Sequence, residues 1–318
     1  MNGMDGVLAL IKPPGMTSHD VVDVVRRAAG IRRVGHTGTL DPGASGVLIC
    51  CLGRATRLSE ILMESEKEYR VELRLGTRTT TGDAYGQVLP SPEPTALRRH
   101  VTRVALEAGL KRFVGHILQV PPMVSAIHRG GVRLYELARR GETVDLQPRP
   151  VRVHRITILR FDRDQATALL EVVCGKGTYI RKLCADIGDV LGVGGYAHFM
   201  VRIRTGSFEI RDAVTLEELS DLALRGAIAD ALTPMDRAVA HLPAVDLPAR
   251  SVTDVLNGHP IPLWKVRGPE LSEDTPVRLR SPRGVLIALA RLEGGLLKPS
   301  KVFAGAGGDL VAHRLRPG

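Results

Sequence analysis

No apolar run in the 318-residue sequence approaches the roughly 20 residues that span a bilayer, which excludes a membrane helix. The opening residues, Met1-Asn2-Gly3-Met4-Asp5-Gly6, lack the basic-then-apolar layout of a secretory signal, so a soluble, cytoplasmic protein is expected. Cysteine is scarce. Cys50, Cys51, Cys174 and Cys184 form no Cys-x-x-Cys pair and have no partner histidine spacing, so no metal site is expected. Cys50-Cys51 in an apolar run and Cys184 on an apolar helix stripe read as buried thiols of a reducing compartment. No period of about 20–50 residues repeats, which excludes solenoids and propellers. The Gly-x-x-x-x-Gly-Lys-[Ser/Thr] pattern of a phosphate loop is missing as well.

What is present is apolar material for a core, 44% of residues, and a basic excess of +10. An arginine-biased composition inflates that charge, so its distribution matters more than its size. Between Arg129 and Arg160 stand eight arginines (129, 133, 139, 140, 149, 152, 155 and 160) against Glu136, Glu142 and Asp145. Half the net charge therefore falls in about a tenth of the chain, a local footprint for a polyanion.

The pattern predicts a strand over residues 7–11, stopped by Lys12-Pro13-Pro14-Gly15. Thr17 and Asp20 have capping-box spacing and open a helix through Val21, Val24, Val25 and Ala28. Residues 35–46 carry four glycines and no hydrophobic period, and read as a loop before a buried strand over 47–52. Residues 67–75 alternate: Tyr69, Val71, Leu73 and Leu75 share one face, Arg70, Glu72 and Arg74 the other. Further strands are expected over 151–159 and 168–174. After Gly175-Lys176-Gly177, an apolar stripe at Ile180, Leu183, Cys184, Ile187 and Leu191 predicts an amphipathic helix. Helices mixed with alternating strands, without regular βαβ units, give an α+β fold with a largely antiparallel sheet flanked by helices. A proline-rich stretch at 242–248 reads as a domain junction. Beyond it a small β-rich module with strands over 277–279 and 285–292 is expected, then a flexible tail. The division is thus 1–241, 242–304 and 305–318.

For chemistry, the loop around Asp41 stands out. An Asp before Pro is pushed toward an extended backbone, which in a glycine-rich loop can aim a carboxylate outward. Local chemistry alone favours an ordinary Asp-Pro turn. Tyr69, on an apolar strand face, reads by itself as core. Tyr179 can be a packing residue at a helix start, and His36 an ordinary loop histidine. Arg181 and Lys182 place positive charge in a helix's first turn, where the macrodipole disfavours it by about 0.3–1 kcal/mol. A nearby anion would offset that cost.

The loop Gly35-His36-Thr37-Gly38-Thr39-Leu40-Asp41-Pro42, with Gly46-Val47-Leu48 after it, closely resembles the catalytic signature of the TruB family of tRNA pseudouridine synthases. The match extends through Lys12-Pro13-Pro14-Gly15-Met16-Thr17-Ser18, Lys67-Glu68-Tyr69, Thr81-Gly82-Asp83-Ala84, Gln119-Val120-Pro121-Pro122-Met123-Val124-Ser125-Ala126 and Gly177-Thr178-Tyr179-Ile180-Arg181. These blocks keep family order from about residue 7 to 208. The resemblance implies a pseudouridine-synthase fold with a PUA-like RNA-binding module at 242–304, and isomerisation of uridine 55 in the T-arm loop of tRNA. Redox balance is unchanged in that reaction, so no cofactor is expected.

The resemblance further implies that Asp41 is the catalytic carboxylate, with Arg181 as its counter-ion and Tyr69 against the flipped uracil. Tyr179 aligns with a second substrate-contacting tyrosine, and His36 with a residue that displaces the target base. The family's Leu-Arg-Arg block appears here as Met200-Val201-Arg202, one basic residue fewer, and Met200 and Arg202 are assigned to substrate binding. The arginine-rich stretch falls in an insertion, about 121–150, that in the family clamps the tRNA loop. The expected partner is the tRNA T-arm stem-loop, bound by a monomer with no membrane or protein partner. A non-catalytic RNA-binding protein would need none of Asp41, Tyr69 and Arg181. A guide-RNA-dependent relative is disfavoured by the insertion and the small C-terminal module.

Overall fold

A computed structural model of the protein describes residues 4–90, 101–122, 128–129, 132–133, 142, 144–266 and 268–303. The expected tail at 305–318 and most of the insertion at 121–150 lie outside them. The chain divides into two compact units: the larger holds Leu8–Cys50 and Ser59–Ala231, the smaller Met1–Val7, Cys51–Leu58 and Leu232–Gly318. The sequence places its boundary at 241/242, ten residues further on.

Along the chain, the larger unit takes in most of β1 (Gly6–Lys12), α1 (Ser18–Ala29), β2 (Val34–His36), most of β3 (Ser45–Leu52), α2 (Ser59–Glu64) and β4 (Lys67–Leu75). A small hairpin, β5 (Arg78–Thr79) and β6 (Val88–Leu89), precedes α3 (Arg103–Leu110) and β7 (Gly115–Gln119). Then come β8 (His128–Arg129), β9 (Val132–Arg133), β10 (Arg149–Asp162), β11 (Thr167–Cys174), α4 (Ile180–Val190), β12 (Gly195–Thr205), β13 (Phe208–Glu209) and α5 (Leu216–Leu224). The main sheet runs β1-β3-β12-β4-β11-β10-β7, with β13 against β12 and β2 against β3. The β12–β4, β4–β11, β11–β10 and β10–β7 pairs are antiparallel, and β12–β3 is parallel. The α+β expectation of a mostly antiparallel sheet with helices is what the chain forms.

Local signals explain most elements. Thr17 caps α1, its side chain accepting from Asp20 N–H while Asp20 accepts from Thr17 N–H; Val21, Val22 and Val25 are buried. In β4 the buried face is Lys67, Tyr69, Val71, Leu73 and Leu75, as alternation predicts apart from the lysine. The expected loop over 35–46 is shorter. Residues 34–36 pair with β3 as β2, and β3 starts at Ser45, so the loop proper is 37–44. A three-residue strand has no periodicity to read, and only its pairing partner stabilises it. Gly46 lies opposite Arg202 in the β3–β12 pairing with φ +104; a Cβ there would sit 2.2 Å from the Arg202 carbonyl oxygen, so only glycine permits this approach. All four cysteines are buried, and burial pushes the Cys174 and Cys184 thiols up to about 11 and about 12.

The smaller unit carries α6 (Met235–Ala238), β14 (Ala244–Asp246), α7 (Ala249–Leu256), β15 (Ile261–Pro262), β16 (Pro276–Arg280), β17 (Leu286–Glu293) and β18 (Leu296–Val302). Its five strands form one sheet in the order β14-β16-β17-β18-β15, over a core that includes Val245, Val252, Leu279 and Ile287. The proline-rich stretch at 242–248 contains β14, paired parallel to β16. Arg278 is nearly buried here and is neutralised by Asp236 at 2.9 Å. Among the described residues, no helix is long and apolar enough to cross a membrane.

Candidate active site

The Asp41 loop is pinned on both sides of the aspartate. Ser18 Oγ donates to the Leu40 carbonyl (3.1 Å) and accepts from Leu40 N–H (2.8 Å). The Pro42 carbonyl accepts from Gly15 N–H (2.8 Å) and from Lys12 Nζ (3.2 Å). Lys12 is fully buried and also donates to the carbonyls of Pro13 (2.8 Å) and Met16 (2.6 Å). The Lys12-Pro13-Pro14-Gly15 block therefore works as a clamp on the turn after Asp41. Burial brings Lys12 down to about 8, helped by the Arg202 charge and opposed by Asp41.

Arg181 is the second residue of α4, and its side chain is 3% exposed against 32% for Asp41. Nε donates to Asp41 Oδ2 at 2.7 Å and Nη2 to Oδ1 at 2.9 Å, a two-pronged grip that fixes the carboxylate plane. Nη1 donates to the Thr81 carbonyl at 3.0 Å and lies 3.5 Å from Asp83 Oδ2. The cation in the first turn of α4 thus meets two carboxylates, Asp41 from 140 positions away and Asp83 from a different, nearer loop. Lys182, beside it, pairs with Asp186.

A cavity of about 500 Å³ opens at Asp41, walled by Tyr69, Tyr179, Lys67, Lys176, Met200 and Arg202 among others. Tyr69 is buried, which pushes its phenol up. Arg202 is 2% exposed and ties three walls together: Nε to the Val47 carbonyl (2.7 Å), Nη2 to the Gly38 carbonyl (3.1 Å) and Nη1 to the Tyr69 hydroxyl (3.4 Å). Its guanidinium also lies 5.9 Å from the Tyr69 ring centre. These partners are neutral, so the cation acts on its surroundings. After burial, it is the next cause lowering Lys67, to about 8, and lowering His36. Lys67 Nζ donates to the Ser65 (2.6 Å) and Met63 carbonyls, capping the end of α2.

Tyr179, the residue before α4, is positioned through its backbone: its N–H donates to Gln119 Oε1 (3.0 Å) and its carbonyl accepts from Gln119 Nε2 (3.3 Å). His36 closes β2, half-buried, and is not among the described residues lining the cavity, which begin at Thr37. Gly38 N–H donates to its Nδ1 (3.4 Å), which assigns the ring proton to Nε2. The structure thus gathers Asp41, Tyr69, Arg181, Tyr179, Met200 and Arg202 around one hollow or its rim, with His36 set back. Sequence reasoning gave no role to Asp83, Lys12, Lys67 or Gln119, although all four lie in the motif blocks. Residue order carries no signal that Asp83 would share the guanidinium of Arg181.

The chain is similar to known proteins over most of its length. Residues 26–180 match the TruB family pseudouridylate synthase N-terminal domain, and residues 181–240 the tRNA pseudouridylate synthase B C-terminal domain. A tRNA pseudouridine synthase B of Pelotomaculum thermopropionicum is 44% identical over 289 residues, 89% of this chain and 90% of the relative. That of Symbiobacterium thermophilum is 48% identical over 256 residues, 80% of this chain and 82% of the relative. Among solved structures, an H/ACA RNP bound to a substrate RNA containing 2'-deoxyuridine superposes with a TM-score of 0.74 at 26% identity, covering 95% of this chain and 86% of that one. With matched domains spanning residues 26–240 and near full-length relatives above 40% identity, the chain belongs to the TruB family of pseudouridylate synthases.

Proposed function

We propose that this chain converts uridine 55 in the T-arm loop of tRNA to pseudouridine, by extruding the nucleotide into the cavity beside Asp41. Family membership makes it a tRNA pseudouridine synthase. The observation that carries the finer reading is the Arg181 grip on both Asp41 oxygens at the edge of a cavity of about 500 Å³. That volume falls within the range of pockets that enclose a small ligand.

The reaction breaks C1′–N1 of the ribose, turns the uracil and forms C1′–C5, so the substrate's atoms are conserved. A stacked loop hides that carbon, and extrusion costs a few kcal/mol. In this reading the uracil stacks on the Tyr69 ring, which contributes about 1–3 kcal/mol. Asp41 meets the ribose, oriented by Arg181. Tyr179 and Met200 close the pocket against water. Lys67, Lys176 and Arg202 supply a positive field for the nucleotide's phosphates. His36 takes the place vacated in the RNA loop. The arginine-rich insertion holds the phosphate backbone and the smaller unit acts as a PUA-like RNA-binding module, in a cytoplasmic monomer.

The test is an unmodified tRNA transcript incubated with the protein alone and mapped by carbodiimide-stop sequencing, beside an isolated T-arm stem-loop. A single stop at uridine 55 in both RNAs is expected. Stops elsewhere, or modification that requires an added guide RNA, would overturn the assignment of target and of stand-alone action.

A further inference from the structure

The tyrosines of the larger unit differ sharply in exposure. Tyr69 is buried and Tyr179 and Tyr196 are half-buried, whereas Tyr85 is 69% exposed. Its place is not casual. Its ring lies over Gly43, two residues after Asp41, so closely that a Cβ there would sit 2.1 Å from Tyr85 Cε2. Its N–H donates to Asp83 Oδ1 (3.0 Å), which also accepts from the Thr81 hydroxyl (2.6 Å). The other oxygen of Asp83 faces Arg181 at 3.5 Å. The turn that presents Tyr85 is therefore fastened to the same guanidinium that grips Asp41. Tyr85, Asp83 and Arg181 line a small second cleft with Asp41 and Met200, and those last two also line the main cavity. The two hollows meet at the carboxylate.

We infer that the open face of Tyr85 is a stacking platform for a second, unflipped nucleobase of the RNA loop, next to the extruded uridine. Two arguments favour a base over a phosphate. The fixed charges nearest the ring's backbone anchor are carboxylates, and the guanidinium beside them is already engaged by both, so an anion would be repelled. Extruding one nucleotide also strips its neighbour of a stacking partner, and an exposed aromatic ring in the cleft that shares Asp41 and Met200 with the main cavity replaces that partner. The inference rests on the functional reading above, since it needs an RNA whose uridine enters the main cavity.

The experiment compares wild type, Tyr85→Phe and Tyr85→Ala by steady-state kinetics and direct binding of unmodified tRNA. Tyr85→Phe should match wild type, and Tyr85→Ala should bind about tenfold more weakly, with the loss concentrated in KM rather than kcat. In transcripts carrying one abasic loop position at a time, the Tyr85→Ala penalty should vanish for one position only, identifying the stacked base. Unchanged affinity in Tyr85→Ala would overturn the inference, as would a fall in kcat and melting temperature with affinity intact, since that describes a ring that only shields Gly43. A wild-type protein that forms no pseudouridine would instead sink the underlying functional reading, so the two failures are distinguishable.

Discussion

Replacing Arg181 by lysine isolates geometry from charge. The guanidinium makes two hydrogen bonds to Asp41 and one to the Thr81 carbonyl, and lies 3.5 Å from Asp83. One ammonium retains the charge but cannot span both Asp41 oxygens while reaching Thr81. At least one charge-assisted hydrogen bond is lost, about 1.5–3 kcal/mol. Asp41 is a third exposed, so solvent screening argues for the lower half of that range. If the lost contact orients the carboxylate in the transition state, the single-turnover rate should fall about 10- to 50-fold. Affinity for tRNA should change little, because Arg181 is 3% exposed and has no surface to offer the RNA. Arg181→Met is the contrasting variant. It leaves Asp41 and Asp83 without their shared cation, and urea unfolding should show a loss of about 2–4 kcal/mol, discounted for the partial exposure of both acids. The measurements are single-turnover pseudouridine formation, filter binding and urea unfolding. A lysine variant that turns over within about twofold of wild type would refute the claim that the two-pronged grip matters.

Asp41→Asn should abolish turnover while tRNA affinity, measured by filter binding, stays within about threefold, because one carboxylate among many RNA contacts contributes little to binding; equal turnover would end the mechanism. The Arg133→Ala, Arg140→Ala double variant should weaken tRNA binding and flatten its dependence on salt, and an unchanged salt slope would mean that this stretch does not touch RNA. Lys12 gives a pH test. Its folded-state value of about 8 lies below the 10.5 of the free side chain, so between these values the unfolded chain binds more protons and stability rises with pH. Subtracting the pH–stability curve of Lys12→Met from that of wild type should therefore leave a positive slope from about pH 8 upward, and a flat difference curve would show that burial does not perturb this lysine. Gly46→Ala should cost more than about 2 kcal/mol in urea unfolding, because the methyl group meets the Arg202 carbonyl at 2.2 Å and the residue has φ +104; a stable alanine variant would show that β3 and β12 can separate there.

Local chemistry made much of the fold legible in the residues themselves. The capping box of α1, the alternation of β4 and the stripe of α4 depend on neighbours a few positions apart, so periodicity and caps sufficed to draw them. Residue order also marked Asp41, Tyr69 and Arg181, through motif blocks rather than physics, since a lone Asp-Pro turn or an apolar-face tyrosine has a plainer explanation.

Only the folded chain decided what those residues do to one another. Arg181 reaches Asp41 across 140 positions, and Asp83 joins them because the loop between β5 and β6 comes back against the start of α4. Lys12 and Lys67 look like solvated lysines in the sequence, yet both are buried under backbone carbonyls and brought down to about 8. Arg202, assigned to substrate binding, lines the cavity and also donates to the Val47 and Gly38 carbonyls and the Tyr69 hydroxyl, which no local pattern announces. These pairings follow from sheet order and strand register, which depend on the mutual burial of distant segments, and no local window of residues encodes them.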